Sequence, residues 1–224
     1  MIVGDLKPLE EIVSAIKDFK QVLVLGCGSC VTVCLSGGEK EAEQLSRDLS
    51  QMRHYQGPPP KFVVGSILKQ CEKDLVNEYQ EIPPGTDAVL SLACGAGVQT
   101  LADAYEPLPV IPALNTTFLG ASDKPGTWTE KCKGCGDCIL IHTGGICPIA
   151  RCAKSLFNGP CGGTNNKSCE ISAEQPCAWY RIHERLAKQG RLDLITAYTP
   201  AQAWKNQVPR TLIQPGYTKP EVKE

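Results

Sequence analysis

The sequence lacks the residues that a self-contained hydrolytic or acid–base active site needs. It contains only 3 histidines among 224 residues, and no paired carboxylates stand out as a general acid and base. It has no Gly-x-Ser-x-Gly, P-loop or His-Glu-x-x-His motif. We therefore predict no catalytic residues in this chain and expect it to serve another catalyst.

Runs of basic residues and long apolar runs are also missing. The 23 basic and 24 acidic residues leave a net charge of −1, which argues against a nucleic-acid partner. No apolar stretch approaches the roughly 20 residues that cross a bilayer. Residues Met1–Asp5 do not form a charged segment followed by an apolar run, so we predict no signal peptide. These features predict a cytoplasmic protein without a membrane span.

Cysteine, by contrast, is abundant. In a compartment that keeps thiols reduced, 13 cysteines indicate metal or cluster ligation before disulfides. They form two groups separated in the sequence. The first group is Cys27, Cys30, Cys34, Cys71 and Cys94, and the second is Cys132, Cys135, Cys138, Cys147, Cys152, Cys161, Cys169 and Cys177.

The first half of the chain has the pattern of an α/β domain with a parallel sheet. Strands alternate with helices, which is typical of a Rossmann-like domain with right-handed crossovers. The predicted strands are 21–25, 61–68, 87–92 and 110–111, and the predicted helices are 9–16, 39–52, 72–79 and 98–105. We assign this domain to residues 1–120, with a boundary in the polar stretch Gly120–Gly126.

The second half differs in composition. Between 126 and 177 it is rich in Gly, Cys and Pro, and it shows no apolar periodicity. We predict a loop-dominated, Cys-rich domain over 121–200 whose order comes from bound metal. A helix is predicted at 177–190, and the Pro-containing tail 201–224 is predicted to be extended.

The first cysteine group is predicted to meet at one edge of the sheet. Ligands of parallel sheets bind beyond the carboxyl ends of the strands, and Cys27, Cys71 and Cys94 each follow a predicted strand. Cys30 and Cys34 continue the first turn as Cys-x-x-Cys-x-x-x-Cys. Because four thiolates hold a [4Fe–4S] cluster, we predict one here. Two alternatives stay open: Cys34 and Cys71 as packing residues, or a dinucleotide site, which the missing third glycine disfavours.

The second group begins with Cys132-x-x-Cys135-x-x-Cys138, a spacing typical of three ligands of a [4Fe–4S] cluster. Cys147 is the predicted fourth ligand, although the ferredoxin pattern would place it closer to Cys138. The remaining four cysteines are predicted to bind zinc or a further cluster. They are Cys152, Cys161, Cys169 and Cys177.

Several runs resemble the MetV family, the small iron–sulfur subunits of MetVF-type methylenetetrahydrofolate reductases in acetogenic bacteria. These runs are Leu25–Cys34, Ala93–Gln99, Thr143–Cys152 and Asn158–Gly163. The second half is similar to the C-terminal domain of that reductase family, and Asn158–Gly163 is the most specific match. The resemblance extends over approximately residues 5–200.

The resemblance implies an electron-transfer subunit that carries iron–sulfur clusters, and the two cysteine groups predict two [4Fe–4S] clusters. Its expected partner is MetF, a flavoprotein that reduces methylenetetrahydrofolate to methyltetrahydrofolate in the Wood–Ljungdahl pathway. The expected electron donor is a ferredoxin or a further redox complex. Two alternatives remain: a zinc-stabilised structural or assembly protein, and a corrinoid-linked methyl-transfer component.

Overall fold

The computed structural model describes residues 1–53, 55, 57–197, 200, 204, 209, 211, 212 and 214. The chain divides into two compact units, Met1–Glu130 and Lys131–Glu224, and we describe each by itself. The predicted tail 201–224 lies almost entirely outside the described residues.

The described residues contain seven strands and eight α-helices. The strands are β1 (Ile2–Leu6), β2 (Gln21–Cys27), β3 (Lys61–Ile67), β4 (Ala88–Leu92), β5 (Val110–Pro112), β6 (Leu114–Lys124) and β7 (Thr127–Cys132). The helices are α1 (Leu9–Ile16), α2 (Cys30–Val33), α3 (Glu39–Gln51), α4 (Lys73–Glu78), α5 (Gly95–Ala104), α6 (Pro148–Arg151), α7 (Ala178–Lys188) and α8 (Asp193–Thr196). None of these helices is long and apolar enough to cross a membrane.

The first unit is built on a four-stranded parallel sheet in the order β3-β2-β4-β5. This confirms the predicted parallel sheet and its alternation of strands and helices. Strand β2 lies in the middle and buries both of its faces. Val22 and Val24 pack in the core cluster that contains residues of α1 and α3. Leu23 and Leu25 pack on the opposite face, in the cluster that contains residues of α4 and α5.

The helices of this unit form where apolar residues recur at helical spacing. The predicted helix 9–16 is observed as α1, and its apolar stripe of Ile12, Val13 and Ile16 is buried. Helix α5 begins at Gly95, three residues before the predicted start at 98. The Thr116 hydroxyl accepts a hydrogen bond of 2.9 Å from the Gly95 amide. A partner that distant in the sequence could not be recognised from the local pattern.

The first unit also contains a three-stranded sheet in the order β1-β6-β7, which the sequence analysis did not predict. β1 pairs antiparallel with β6, and Pro125 and Gly126 connect β6 to β7. Gly126 adopts φ +77°, a conformation that glycine reaches without steric cost. The stretch Gly120–Gly126, predicted as a domain boundary, lies in this hairpin, and the two units divide after Glu130.

The second unit has a small apolar core around α7. Trp179, Ile182 and Leu186 are its buried members, and the Trp179 indole donates a hydrogen bond to the Leu156 carbonyl at 2.8 Å. The helix predicted at 177–190 is observed as Ala178–Lys188. Between 133 and 177 the described helices are a 3-10 turn and the four-residue α6.

Candidate functional site

Three cysteines of the first unit lie at the carboxyl ends of neighbouring parallel strands. Cys27 is the last residue of β2, and Cys94 caps the N-terminus of α5 just after β4. Cys71 lies in the loop between β3 and α4. Because β2 lies between β3 and β4, the topology brings the three cysteines to one edge of the sheet, as predicted.

The electrostatics of Cys71 show that these thiols influence one another. Burial is the largest cause that raises the pKa of Cys71, and thiolate charge on Cys94 and Cys27 raises it further. The Lys69 ammonium acts in the opposite direction. Three thiolates would therefore repel one another at this edge, and a bound cation would favour their charged form.

The side chain of Gln70 ties the three cysteine-bearing segments together. It is fully buried and donates hydrogen bonds to the carbonyl oxygens of Leu25 at 2.9 Å and Gly26 at 2.8 Å. Its own oxygen accepts the Ser91 hydroxyl at 2.6 Å. Gln70 precedes Cys71, Gly26 precedes Cys27, and Ser91 lies at the end of the strand that leads to Cys94. A single amide thus fixes the relative positions of all three segments.

Helix α5 packs closely against this amide because it has a glycine at the contact. A Cβ on Gly97 would lie 2.7 Å from the Ala93 Cβ and 3.0 Å from the Gln70 Cβ. Any larger residue would therefore push α5 away from Gln70 and displace Cys94 at its N-terminus.

The two remaining cysteines of this group have different environments. Cys30 opens α2 and is partly exposed. Cys34 is buried, and its sulfur lies 3.1 Å from the Ser36 hydroxyl and 3.5 Å from the Val31 carbonyl oxygen. It lines a cavity of about 290 Å³ together with residues of β1 and α3. These contacts support the packing interpretation of Cys34 and leave Cys30 as the candidate fourth thiol.

In the second unit, one cavity of about 330 Å³ is lined by the four cysteines predicted to hold a cluster. The four are Cys132, Cys135, Cys138 and Cys147. Ile139, Leu140 and Ile149 contribute apolar walls, and the charged residues Lys131, Lys133 and Asp137 also line the cavity. We call this space the cysteine cavity.

The loop that carries the first three of these cysteines depends on two glycines. Gly134 and Gly136 have φ of +63° and +84°, which reverses the chain between successive cysteines at little steric cost. The Gly134 amide donates a hydrogen bond to the Cys132 sulfur at 3.3 Å. The loop thus turns tightly enough to bring its own backbone amide to the Cys132 sulfur.

Cys147 shares the electrostatic environment of this loop. Burial is the largest cause that raises its pKa, and thiolate charge on Cys135 and Cys132 adds to the increase. Amides of Ala150 and Ile149 act in the opposite direction. The fourth predicted ligand is therefore close enough to interact with two of the others, despite its departure from ferredoxin spacing.

Two of the last four cysteines accept hydrogen bonds at their sulfur atoms. The Gly163 amide donates to the Cys161 sulfur at 3.4 Å. Burial raises the pKa of Cys177, but the Thr164 hydroxyl at 2.9 Å and the amides of Tyr180 and Trp179 outweigh it and lower that pKa. Cys152 and Cys177 pack against the core of α7, while Cys169 is partly exposed.

The donor set as a whole suits soft metals. All thirteen cysteines lie in the described part of the chain and are present as thiols. Thiolates select iron–sulfur clusters and zinc over hard cations. Within the described residues, no three His, Cys, Asp or Glu side chains converge tightly enough to hold a single ion. The cysteine cavity has the thiol number that a [4Fe–4S] cluster requires.

The polar residues around the thiols could not be predicted from the sequence. Gln70 and Ser91 are separated by 21 residues, and Thr164 and Cys177 by 13. Neither pair belongs to a recognisable motif. Gln70 directly precedes Cys71 in the sequence, but a single glutamine next to a cysteine does not predict a buried, hydrogen-bonded amide.

Comparison with known proteins relates part of the chain to one family. Residues 111–205 match the family described as methylene-tetrahydrofolate reductase C terminal. The match covers less than half of the 224 residues and includes all eight cysteines of the second group. No curated protein and no solved structure matches the chain.

Proposed function

We propose that the chain is the electron-transfer subunit of a methylenetetrahydrofolate reductase complex, of the MetV type that its sequence resembles. The cysteine cavity is the main observation in support. Four thiols line it, and it lies within the segment related to the reductase C-terminal family. The family match points to the reductase, and the thiols point to the role within it.

The residues fit two [4Fe–4S] clusters. Cys132, Cys135, Cys138 and Cys147 would hold the first. Cys27, Cys30, Cys71 and Cys94 would hold the second, with Gln70 orienting three of the four. Such clusters supply single-electron transfer. Lys131 and Lys133, opposed by Asp137, leave the lining of the cysteine cavity with one net positive side-chain charge apart from the thiols, which would partly offset the charge of a cluster and raise its reduction potential.

The folate chemistry belongs to the partner in this proposal. Reduction of methylenetetrahydrofolate to methyltetrahydrofolate needs two electrons and a hydride donor, which a flavin provides. This chain has no dinucleotide fingerprint, so the flavin and the folate pocket would lie in a MetF-type subunit. A cytoplasmic complex of the Wood–Ljungdahl pathway, supplied by a ferredoxin or a similar donor, is the setting that the resemblance implies.

The last four cysteines are the candidates for zinc or a further cluster. The lowered pKa of Cys177 favours its thiolate, and the thiolate is the form that binds either metal. Metal analysis of the purified chain distinguishes zinc from a further cluster, because one assay gives the zinc content and the iron content separately.

The deciding experiment compares single cysteine variants after anaerobic purification. Cys135→Ser and Cys94→Ser should each lose about four irons while the other site keeps its own. Cys34→Ser is the matched control and should keep full iron, because its thiol contacts Ser36 in the core. If the wild-type chain contains zinc and no iron or sulfide, the proposed function is wrong.

A further inference from the structure

One face of α7 presents a row of cations beside the cysteine cavity. Arg181, Arg185 and Lys188 are exposed and lie at i, i+4 and i+7, which places them on one side of the helix. The opposite side is buried through Ile182 and Leu186. Arg185 is anchored by a hydrogen bond from its guanidinium to the Gly144 carbonyl at 3.1 Å.

These cations line two cavities of about 200 and 210 Å³ that share Ile146, Arg181 and Arg185, and we call the two cavities together the basic groove. Arg181 and Arg185 line both, Arg151 and Lys131 line the first, and Lys188 lines the second. One acidic residue, Glu184, also contributes. The walls include the apolar residues Leu140, Ile146, Pro176 and Ala178.

The basic groove adjoins the cysteine cavity directly. Lys131, Leu140 and Cys147 line both spaces. A protein seated in the groove would therefore lie against Cys147, one of the four thiols proposed to hold a cluster. Electron transfer between two proteins requires a short distance between their redox centres.

The charge of the second unit suits a negatively charged partner. Residues 131–197 carry nine Lys and Arg against five Asp and Glu, a net charge of +4. Residues 1–130 carry 10 basic and 17 acidic residues, a net charge of −7. The almost neutral total thus conceals a positive second unit, and five of the nine cations in 131–197 line the groove. Such a surface steers acidic proteins and raises their association rate.

We propose that the basic groove is the docking surface for an acidic single-electron carrier protein that reduces this chain. The proposal rests on the proposed function and adds the position and chemistry of the donor contact. In each encounter the carrier loses one electron and the chain gains one, with no bond or proton exchanged. Two encounters supply the two electrons that the partner's flavin needs. The groove has apolar walls and several separate cations, which fits a protein surface better than a small anion.

The test is stopped-flow reduction of the full, iron-loaded chain by a reduced acidic ferredoxin. Arg181→Glu combined with Lys188→Glu reverses the groove charge but keeps the anchored Arg185. Arg191→Glu combined with Lys40→Glu is the control, since it changes net charge equally and neither residue lines the groove. The groove variant should react at least about tenfold more slowly at low salt, and the difference should shrink at high salt. The control should react like the wild type.

Reduction by methyl viologen radical cation is measured in parallel, because a cation does not need a basic surface. Its rate should not fall in the groove variant. If the groove variant loses iron, Arg181→Gln combined with Lys188→Gln replaces it, with an effect of the same sign.

Three results would overturn the proposal. Equal ferredoxin rates in groove variant and control would exclude docking here while leaving electron transfer intact. Lost binding to the flavoprotein subunit with an unchanged ferredoxin rate would make the groove a subunit interface. If neither reduced ferredoxin nor methyl viologen radical bleaches the visible absorption of the wild-type chain, the proposed function itself is wrong.

Discussion

Replacing Gln70 with methionine should weaken the first unit, because the buried amide bridges three segments. Methionine has a similar volume and shape but forms none of the amide's hydrogen bonds. Gln70→Met leaves the Ser91 hydroxyl without its acceptor and removes a donor from the carbonyls of Leu25 and Gly26. All of these groups are buried with Gln70, so water cannot replace the lost partner without entering the core.

The expected loss is about 3 kcal/mol, because unsatisfied buried polar groups cost about 1–3 kcal/mol each and carbonyls tolerate the loss better than hydroxyls. This corresponds to a decrease of roughly 10 °C in the melting temperature of a domain of this size. Adding Ser91→Ala removes the unsatisfied hydroxyl. The double variant should therefore recover about 1 kcal/mol relative to Gln70→Met.

The assay is urea unfolding of the metal-free chain, with hydrogen exchange in β2 and β4 to report on the first unit alone. Gln99→Met is the matched control. Its amide donates to the Gly95 carbonyl at 2.9 Å on an exposed surface, so its loss should change the free energy of unfolding by less than about 0.5 kcal/mol. An unfolding midpoint of Gln70→Met equal to that of the wild type would refute the reasoning. So would a double variant whose loss equals the sum of the single losses.

Three further results are expected. In the metal-free chain, iodoacetamide should alkylate Cys177 faster than Cys71 at about pH 7, because the pKa of Cys177 is lowered and that of Cys71 is raised. Thr164→Val should slow the alkylation of Cys177. Peptide mass spectrometry measures both rates, and equal rates would contradict the prediction. Because its folded pKa is lowered, the stability contributed by the Cys177 thiolate should be complete above the ordinary thiol pKa and lost as pH falls through the lowered value. Metal removal should abolish hydrogen-exchange protection in 133–147, the loop that carries the thiols of the cysteine cavity, before β2–β5, and equal protection of both would contradict metal-dependent order.

The parallel sheet could be predicted because its strands are buried on both faces. In β2, Val22 to Leu25 are fully buried, which produces a continuous apolar run in the sequence. The position of Cys27, Cys71 and Cys94 at one edge then follows from topology. The strands of the second sheet could not be predicted in this way. In β6 only Leu114 is fully buried, so no alternating apolar pattern marks the strand.

The cysteines of the candidate site could be predicted from the sequence, but the hydrogen bonds that support them could not. The Cys-x-x-Cys-x-x-Cys spacing predicts three thiols, Cys147 is the predicted fourth, and all four line the same cavity. Gln70 reaches carbonyls 45 and 44 residues away in the sequence. Contacts between residues that far apart in the sequence form only in the folded sheet, so local sequence patterns cannot predict them.

The opposite charges of the two units affect how the protein will behave on ion-exchange columns. Its isoelectric point near 6.3 predicts weak binding to an anion exchanger at neutral pH and none to a cation exchanger. However, immobilised ligands interact with local charge, and residues 131–197 carry net +4 while residues 1–130 carry net −7. The chain should therefore be retained by both resins at low ionic strength. At the same low ionic strength, the positive unit of one molecule can attract the negative unit of another, so concentrated samples should be kept in moderate salt.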